Sequence, residues 1–330
     1  MTPARFVGVS DPGRRRRRNE DAYVCEPPLF AIADGMGGAQ AGEVASGLAA
    51  AVLQEPLDEA GGNAEERVAS LIQEANRRVF QRSNEDAATS GMGTTMTVAL
   101  VDSGGGTIAF GHVGDSRAYR IRGGELEQLT DDHSLVGELV RSGRLSPEEA
   151  EQHPQRSVIT RALGTEPDVD VDTFTVEAEP DDIYVLCSDG LTDMVSGREI
   201  LSVVAAAGDL DEAARGLVDA ANAGGGEDNI TVVLFQIDEN ADGSDTVSMP
   251  AAVAPEPYSD SDEDTLSPLD AVPAVDTAVI PAAAVEEHLQ HEAKAAPRAR
   301  NDPDRRILPL LMLVLLLVVL VLLAVWGLSR

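Results

Sequence analysis

The stretch TTMTVALVDSGGGTIAFGHV, residues 94–113, decides the fold class. Thr94–Val101 and Thr107–Val113 are apolar, β-type runs of strand length, and Ser103-Gly-Gly-Gly106 between them is a turn signal. Strands joined by so short a loop pair antiparallel, because a parallel pair needs a crossover of about a dozen residues or more. Similar runs recur at Phe6–Val9, Leu29–Ala33, Arg117–Ile121, Val169–Val176, Ile183–Cys187 and Ile230–Ile237. Helical patterns interrupt them at Ala41–Gln54, Ala64–Arg82, Ser134–Ser142, Ser146–Gln152, Ser196–Ala206 and Leu210–Ala223. The order predicts an α+β domain of antiparallel sheets with helices packed outside, not a doubly wound parallel sheet. It is expected to cover residues 1–238.

The formal net charge of the 330-residue chain is -32. Phosphate backbones are bound by a surplus of Lys and Arg, so this balance speaks against nucleic acid and favours cations. Part of the acidity belongs to a tail, since no Lys or Arg lies between Glu239 and Ala293. Residues 239–306 are rich in Ala, Pro, Asp, Glu and Ser without an apolar period, and read as a disordered, extended linker. The run 307–328 is almost wholly apolar and as a helix would be ~33 Å long, enough to span a bilayer. Arg298, Arg300, Arg305 and Arg306 precede it, and Met1–Ser10 lacks the apolar core of a secretory signal. The expected topology is a single pass through the cell membrane with the preceding domain in the cytoplasm. Cys25 and Cys187 lie singly in apolar stretches and read as buried thiols.

Asp34, Asp115 and Asp189 each follow an apolar run, and Asp228 immediately precedes one. One such aspartate is only a turn signal, but four converging would repel one another unless cations neutralised them. An oxygen-only ligand set suits Mg2+ or Mn2+ better than Zn2+. Two such ions can share a hydroxide and clamp the attacking and leaving oxygens of a phosphoryl group, so phosphoester hydrolysis is one reading. Structural Ca2+ binding is the other, although no EF-hand-like loop is present.

An ordered set of motifs then carries a resemblance. Ser10-Asp-Pro-Gly-Arg-Arg-Arg-Arg-Arg-Asn-Glu-Asp21, Ala33-Asp-Gly-Met-Gly-Gly38, Gly42-Glu-Val-Ala-Ser46 and Gly93-Thr-Thr95 come first. Gly111-His-Val-Gly-Asp-Ser-Arg117, Ile159-Thr-Arg-Ala-Leu-Gly164, Leu186-Cys-Ser-Asp-Gly-Leu191 and Glu227-Asp-Asn-Ile-Thr231 follow. Together they resemble the bacterial PPM (type 2C) metal-dependent protein serine/threonine phosphatases. The resemblance implies a four-layer α-β-β-α sandwich with a binuclear Mn2+ or Mg2+ centre at one end. It implies that Asp34 bridges both ions, that the Gly35 carbonyl ligates one, and that Asp189 and Asp228 ligate the other. Asp115 with Asp189 corresponds to the site of a third ion. Arg16 falls on the phosphate-binding position, which a planar guanidinium suits. Glu20, Asp21 and Asn229 correspond to groups that orient metal-bound waters.

The implied reaction is in-line attack of a metal-bridging hydroxide on a phosphoserine or phosphothreonine monoester, without a phosphoenzyme. The implied partners are phosphorylated proteins, serine/threonine kinases and their substrates among them. A catalytically weak, membrane-tethered scaffold that binds phosphoproteins is the reading from another class. Within Arg14–Arg18 only Arg16 matches the family position, so the run reads as a solvated loop with one working arginine rather than a nucleic-acid patch. Eukaryotic members commonly have a histidine where this chain has Met36, and bacterial ones often have a histidine where it has Ala39. That leaves His112, His133, His153 or a metal-bound water as the general acid, with His112 reading as structural and His153 within a flap-like segment, 135–160.

Overall fold

The computed structural model describes residues 2–37, 41–55, 62–85, 89–102, 106–238 and 278–279. One sheet has the order β1 (Thr2–Asp11), β12 (Ile230–Asp238), β11 (Ile183–Cys187), β7 (Arg117–Arg122), β8 (Glu125–Gln128). The other runs β10 (Asp172–Glu177), β6 (Thr107–Val113), β5 (Met96–Asp102), β3 (Leu29–Met36), β2 (Asp21–Glu26), with β4 (Gly93–Thr94) beside β3. Every pairing within both sheets is antiparallel, as the hairpin at residues 94–113 predicts.

The apolar runs are continuous because the central strands are buried on both faces. Successive side chains point to opposite faces of a strand. Phe30 and Ile32 of β3, Ile108 and Phe110 of β6, Tyr184 and Leu186 of β11, and Val233 and Phe235 of β12 fill the layer between the sheets. Phe30 stacks on Phe235 at 4.1 Å and Phe110 lies against Tyr184 at 6.1 Å, so aromatic contacts join the sheets. The alternate residues Ala31, Val98 and Ala109 face α1 (Ala41–Leu53) and α2 (Ala64–Glu85). Val185, Val232 and Leu234 face α6 (Gly197–Ala206) and α7 (Leu210–Gly224). Helices thus cover the outer face of each sheet, giving the expected four layers.

The helices begin where their caps dictate. Ser196 and Glu199 form a reciprocal capping box at α6, and the Asp209 carboxylate accepts from the Glu212 N–H at α7. Leu210, Ala213, Ala214, Leu217, Val218 and Ala221 make the buried stripe of α7 at helical spacing. The flap-like segment holds α3 (Leu135–Arg141), α4 (Pro147–Glu151) and β9 (Val158–Ile159).

Within the stretch read as a linker, β13 (Ala278–Val279) pairs in parallel with β9, in an Ala- and Val-rich part of that stretch. The predicted span at 307–328 lies outside the described residues. Among the described residues no helix is long and apolar enough to cross a membrane.

Candidate metal and phosphate site

Asp34 and Asp21 come together through strand register: β2 pairs with β3 so that Asp21 stands directly opposite Asp34. The Asp34 position is fixed by the next segment. Its N–H donates to Thr95 Oγ1 at 3.0 Å, and its carbonyl accepts from the Thr95 N–H at 2.9 Å and from Thr94 Oγ1 at 2.8 Å. Gly35 follows, where a Cβ would fall 2.1 Å from the Gly42 carbonyl oxygen and 2.5 Å from that of Glu20. Only glycine lets β3 approach the start of α1 and the Glu20 backbone so closely.

Asp189 opens α5 (Asp189–Thr192), a short helix directly after β11. Asp228 sits just before β12, and its Oδ1 accepts from the Asn229 N–H at 2.8 Å. The Asn229 side chain ties this end to the N-terminal loop, accepting from the Glu20 N–H (2.8 Å) and donating to the carbonyls of Pro12 (3.0 Å) and Arg18 (2.8 Å). Its amide is therefore engaged with backbone and positions the loop carrying Arg16. Asp21 is buried, and its Oδ2 accepts from Ser188 Oγ (2.9 Å) and Thr231 Oγ1 (2.5 Å), which ties β2 to the β11 and β12 ends.

The charges of the four carboxylates act on one another. Burial, then the charges of Asp21, Asp189, Asp228 and Asp115, holds the Asp34 carboxyl well above the usual carboxylate range. Asp189 is raised in the same direction by burial and by Asp115 and Asp228. Burial and Asp132 push Asp115 up to about 7, burial pushes Asp21 up to about 6, and Glu20 rises to about 7. Burial also raises Asp228, but the Arg16 charge opposes the shift.

Among the described residues, the positive charges that oppose these shifts are Arg16 at Glu20 and Asp228 and Arg117 at Asp115. Asp21 Oδ1, Asp115 Oδ1 and Asp189 Oδ1 are buried carboxylate oxygens with no hydrogen-bond partner. Orphaned hard oxygen acceptors of this kind fit Mn2+ or Mg2+, which satisfy them while neutralising the repulsion. No group of three or more His, Cys, Asp or Glu side chains among the described residues could hold an ion by itself. Ions here would keep several waters, as Mg2+ habitually does.

Arg16 reaches the cluster as expected, but its Nη2 donates to Asp228 Oδ2 at 2.8 Å. Its loop is fixed by N–H donation from Arg14 (2.8 Å) and Arg15 (3.2 Å) to the Gly226 carbonyl. The neighbouring arginines are occupied differently. Arg14 Nε donates to the Asn222 carbonyl at 2.8 Å, and Arg15 pairs with Glu227 at 3.0 Å. Arg16 thus pairs with one of the four carboxylates, whereas Arg14 and Arg15 are held elsewhere.

Two of the histidines considered as general acids are committed elsewhere. His112 lies between Thr97 Oγ1 (2.9 Å) and the Asp131 carbonyl (3.1 Å), and burial lowers it to about 4. Burial likewise lowers His133 to about 3, and both its nitrogens have partners. Met36 packs on Ile159 and Ala162 in a small apolar cluster, so that position is a packing contact with the flap. Cys187 is buried with its thiol pushed up to about 12, which keeps it out of nucleophilic chemistry.

Asp193 was not singled out from the sequence. It lies four residues after Asp189 at the end of α5, and its charge raises Asp115, Asp189 and Asp228. The four-residue spacing was the available signal, since it puts both carboxylates on one helix face. Arg156 of the flap pairs with Asp193 at 3.3 Å and approaches Glu227 at 3.8 Å. A cavity of about 690 Å3 lies beneath the flap and is lined by Asp115, Asp189 and Asp193 together with Arg117, Arg141 and Arg156.

Comparison with known proteins bears on this arrangement. The sequence model of the family described as Protein phosphatase 2C matches residues 14–219. The Serine/threonine phosphatase stp of Listeria monocytogenes is 42% identical over 246 residues, covering 72% of this chain and 97% of that protein. The crystal structure of the Mycobacterium tuberculosis serine/threonine phosphatase PstP/Ppp superposes with a TM-score of 0.68 at 40% identity, over 72% of this chain and 100% of that one. The catalytic domain of PstP in complex with two manganese ions superposes with a TM-score of 0.66 at 39% identity, again over 72% of this chain and 100% of that one.

Proposed function

The chain belongs to the protein phosphatase 2C family and is a protein serine/threonine phosphatase, and from that premise we propose how its residues perform the reaction. The observation that carries the proposal is the set of orphaned, mutually repelling carboxylates at one end of the sandwich. Asp34, the Gly35 carbonyl, Asp189 and Asp228 would hold two Mn2+ or Mg2+ ions, and Asp115 with Asp189 a third. The two manganese ions of the PstP catalytic domain support the first two. Bound ions supply an activated water and positive charge opposite the phosphoryl oxygens.

The chain's own groups do the rest. The Arg16 guanidinium, which pairs with Asp228 through Nη2, is the group that would hold two oxygens of the substrate phosphate. The unpaired Oδ1 of Asp21 accepts a hydrogen bond from water in the site. Of the described hydroxyl and thiol groups on β11 and its end, Ser188 Oγ is held in a buried bond to Asp21 and Cys187 is sealed in the core, which supports direct hydrolysis over a covalent intermediate.

Arg16→Ala is expected to raise KM for a phosphothreonine peptide about tenfold, since charge-assisted bonds to an anion are worth ~1.5–3 kcal/mol, while Mn2+ binding persists. Arg14→Ala, which removes only a contact to a backbone carbonyl, should leave KM nearly unchanged. Equal losses in both variants, measured by steady-state kinetics beside Mn2+ titration, would contradict the assignment of Arg16.

The membrane reading belongs to the same proposal. Residues 307–328 would cross the cell membrane once and hold the catalytic domain on the cytoplasmic face by the 239–306 tether. The apolar run and the arginines before it support this. Confinement to one membrane raises encounter with membrane serine/threonine kinases, whose phosphorylated segments would be substrates, without any new contact. Deleting residues 307–330 should move the protein from the membrane fraction to the soluble fraction and leave peptide kinetics unchanged. A truncated protein that still sediments with membranes would refute the tether.

A further inference from the structure

β6 ends at Val113, and the chain turns at Gly114 to deliver Asp115 to the site. Gly114 has φ +114°, and a Cβ there would fall 2.5 Å from Cβ of Thr95, so glycine is required at this turn. The turn is held by one side chain and its own backbone. The His133 N–H donates to the Gly114 carbonyl at 2.8 Å, and the Gly114 N–H donates to His133 Nδ1 at 3.0 Å. Both polar groups of Gly114 therefore end on the same residue.

That second bond fixes the tautomer. With Nδ1 accepting, the ring proton is on Nε2, which donates to Asp172 Oδ2 at 3.1 Å. Asp172 is itself held by Arg161, whose Nη1 donates to Asp172 Oδ1 at 2.6 Å. The ring is buried, with its centroid 4.8 Å from that of His112. It has one orientation and no free nitrogen.

His133 also stands where the flap leaves and returns. Its carbonyl accepts from the Thr160 N–H at 2.8 Å, at the flap's far end. Ser134, the next residue, caps α3 by accepting from the Gly137 N–H at 3.1 Å and bridges to Ile159. The Asp115 turn and the two ends of the flap thus meet at one residue, the turn through the ring and backbone N–H of His133 and the flap through its carbonyl and the adjoining Ser134. We propose that His133 is a positioning residue: through Nδ1 it fixes the Gly114–Asp115 turn, and with it the cation-holding geometry of Asp115, and it ties that carboxylate to both ends of the flap. This rests on the reading of Asp115 as a cation-holding carboxylate.

The test uses the full-length protein and three variants, His133→Ala, His133→Asn and Asp115→Asn. Mn2+ binding is measured by paramagnetic resonance of the free ion, alongside the melting temperature and the Mn2+ concentration for half-maximal peptide hydrolysis. Removing a group that orients a ligand typically costs about 10–100-fold in metal affinity or activity, so His133→Ala should weaken the Asp115-dependent Mn2+ binding by about tenfold or more. Asn can place its side-chain oxygen where Nδ1 accepts the Gly114 N–H, so His133→Asn should recover most of that binding even though it lacks the bond to Asp172. A role in packing alone predicts the opposite pattern, with both substitutions lowering the melting temperature and neither changing Mn2+ affinity. That result would overturn the proposal, as would His133→Asn binding Mn2+ as poorly as His133→Ala. If Asp115→Asn itself left Mn2+ binding unchanged, the reading of Asp115 would fall; if it lost binding while His133→Ala did not, the inference about His133 alone would fall.

Discussion

Asp34→Asn is expected to lower kcat on a phosphothreonine peptide by about a thousandfold at saturating Mn2+, corresponding to ~4 kcal/mol of transition-state stabilisation. The size of the effect follows from where the carboxylate sits. Burial and the charges of Asp21, Asp189, Asp228 and Asp115 all raise the Asp34 proton affinity, so this carboxylate lies within the cluster. The amide is close in size, and the three backbone-directed bonds at residue 34 remain available. Without metal the same substitution should raise the melting temperature, because it removes one of several buried like charges. A loss of turnover accompanied by a lower metal-free melting temperature would indicate misfolding instead.

The second large effect is on stability. In the metal-free protein Asp21 is raised to about 6, and Asp115 and Glu20 to about 7, with burial the main cause in each case. Their unfolded values lie near 4, so the folded chain binds protons more tightly than the unfolded one. The stability these groups contribute is therefore fully present below about pH 4 and lost as pH rises through about 6–7. Metal-free protein should melt several degrees lower at pH 8 than at pH 5. Mn2+ at about a hundred times its Kd should recover ~2.7 kcal/mol per site at pH 8, or roughly 5–10 °C. Calorimetry without metal and then with Mn2+ checks both signs, and a melting temperature indifferent to pH and to Mn2+ would contradict a repelling carboxylate cluster.

The central strands were legible in the sequence because they are buried on both faces, which makes Ile183–Cys187 an unbroken apolar run and Thr107–Val113 a mainly apolar one, with the bounds the structure has. β8 was not, since Glu125-Leu-Glu-Gln128 has one apolar residue and is extended only by pairing with β7. β2 is hard to read because Ala22-Tyr-Val-Cys25 is only a four-residue apolar run between Asp21 and Glu26, beside the Asn-Glu-Asp motif. The run Val169–Val176 begins later, at Asp172, because its pairing with β6 starts opposite His112. Among site residues, the carboxylates could be found singly from the apolar run beside each one. What each does to the others could not, because it depends on register and on contacts across the whole chain. Asp21 stands opposite Asp34 by pairing, Arg16 reaches Asp228 across 212 residues, and Asn229 grips the N-terminal loop. No local pattern encodes those distances, and the hold of His133 on Gly114 is of the same kind.

The most direct test of metal-dependent hydrolysis at this cluster is phosphate release from a phosphothreonine peptide by the full chain and by its Asp34→Asn variant. Each is assayed with Mn2+, after a chelator, and after Mn2+ is restored. The wild-type protein should release phosphate with Mn2+, stop in the chelator and recover when the ion returns, with the variant near background throughout. Undiminished release in the chelator, or a variant as active as the wild type, would contradict the account.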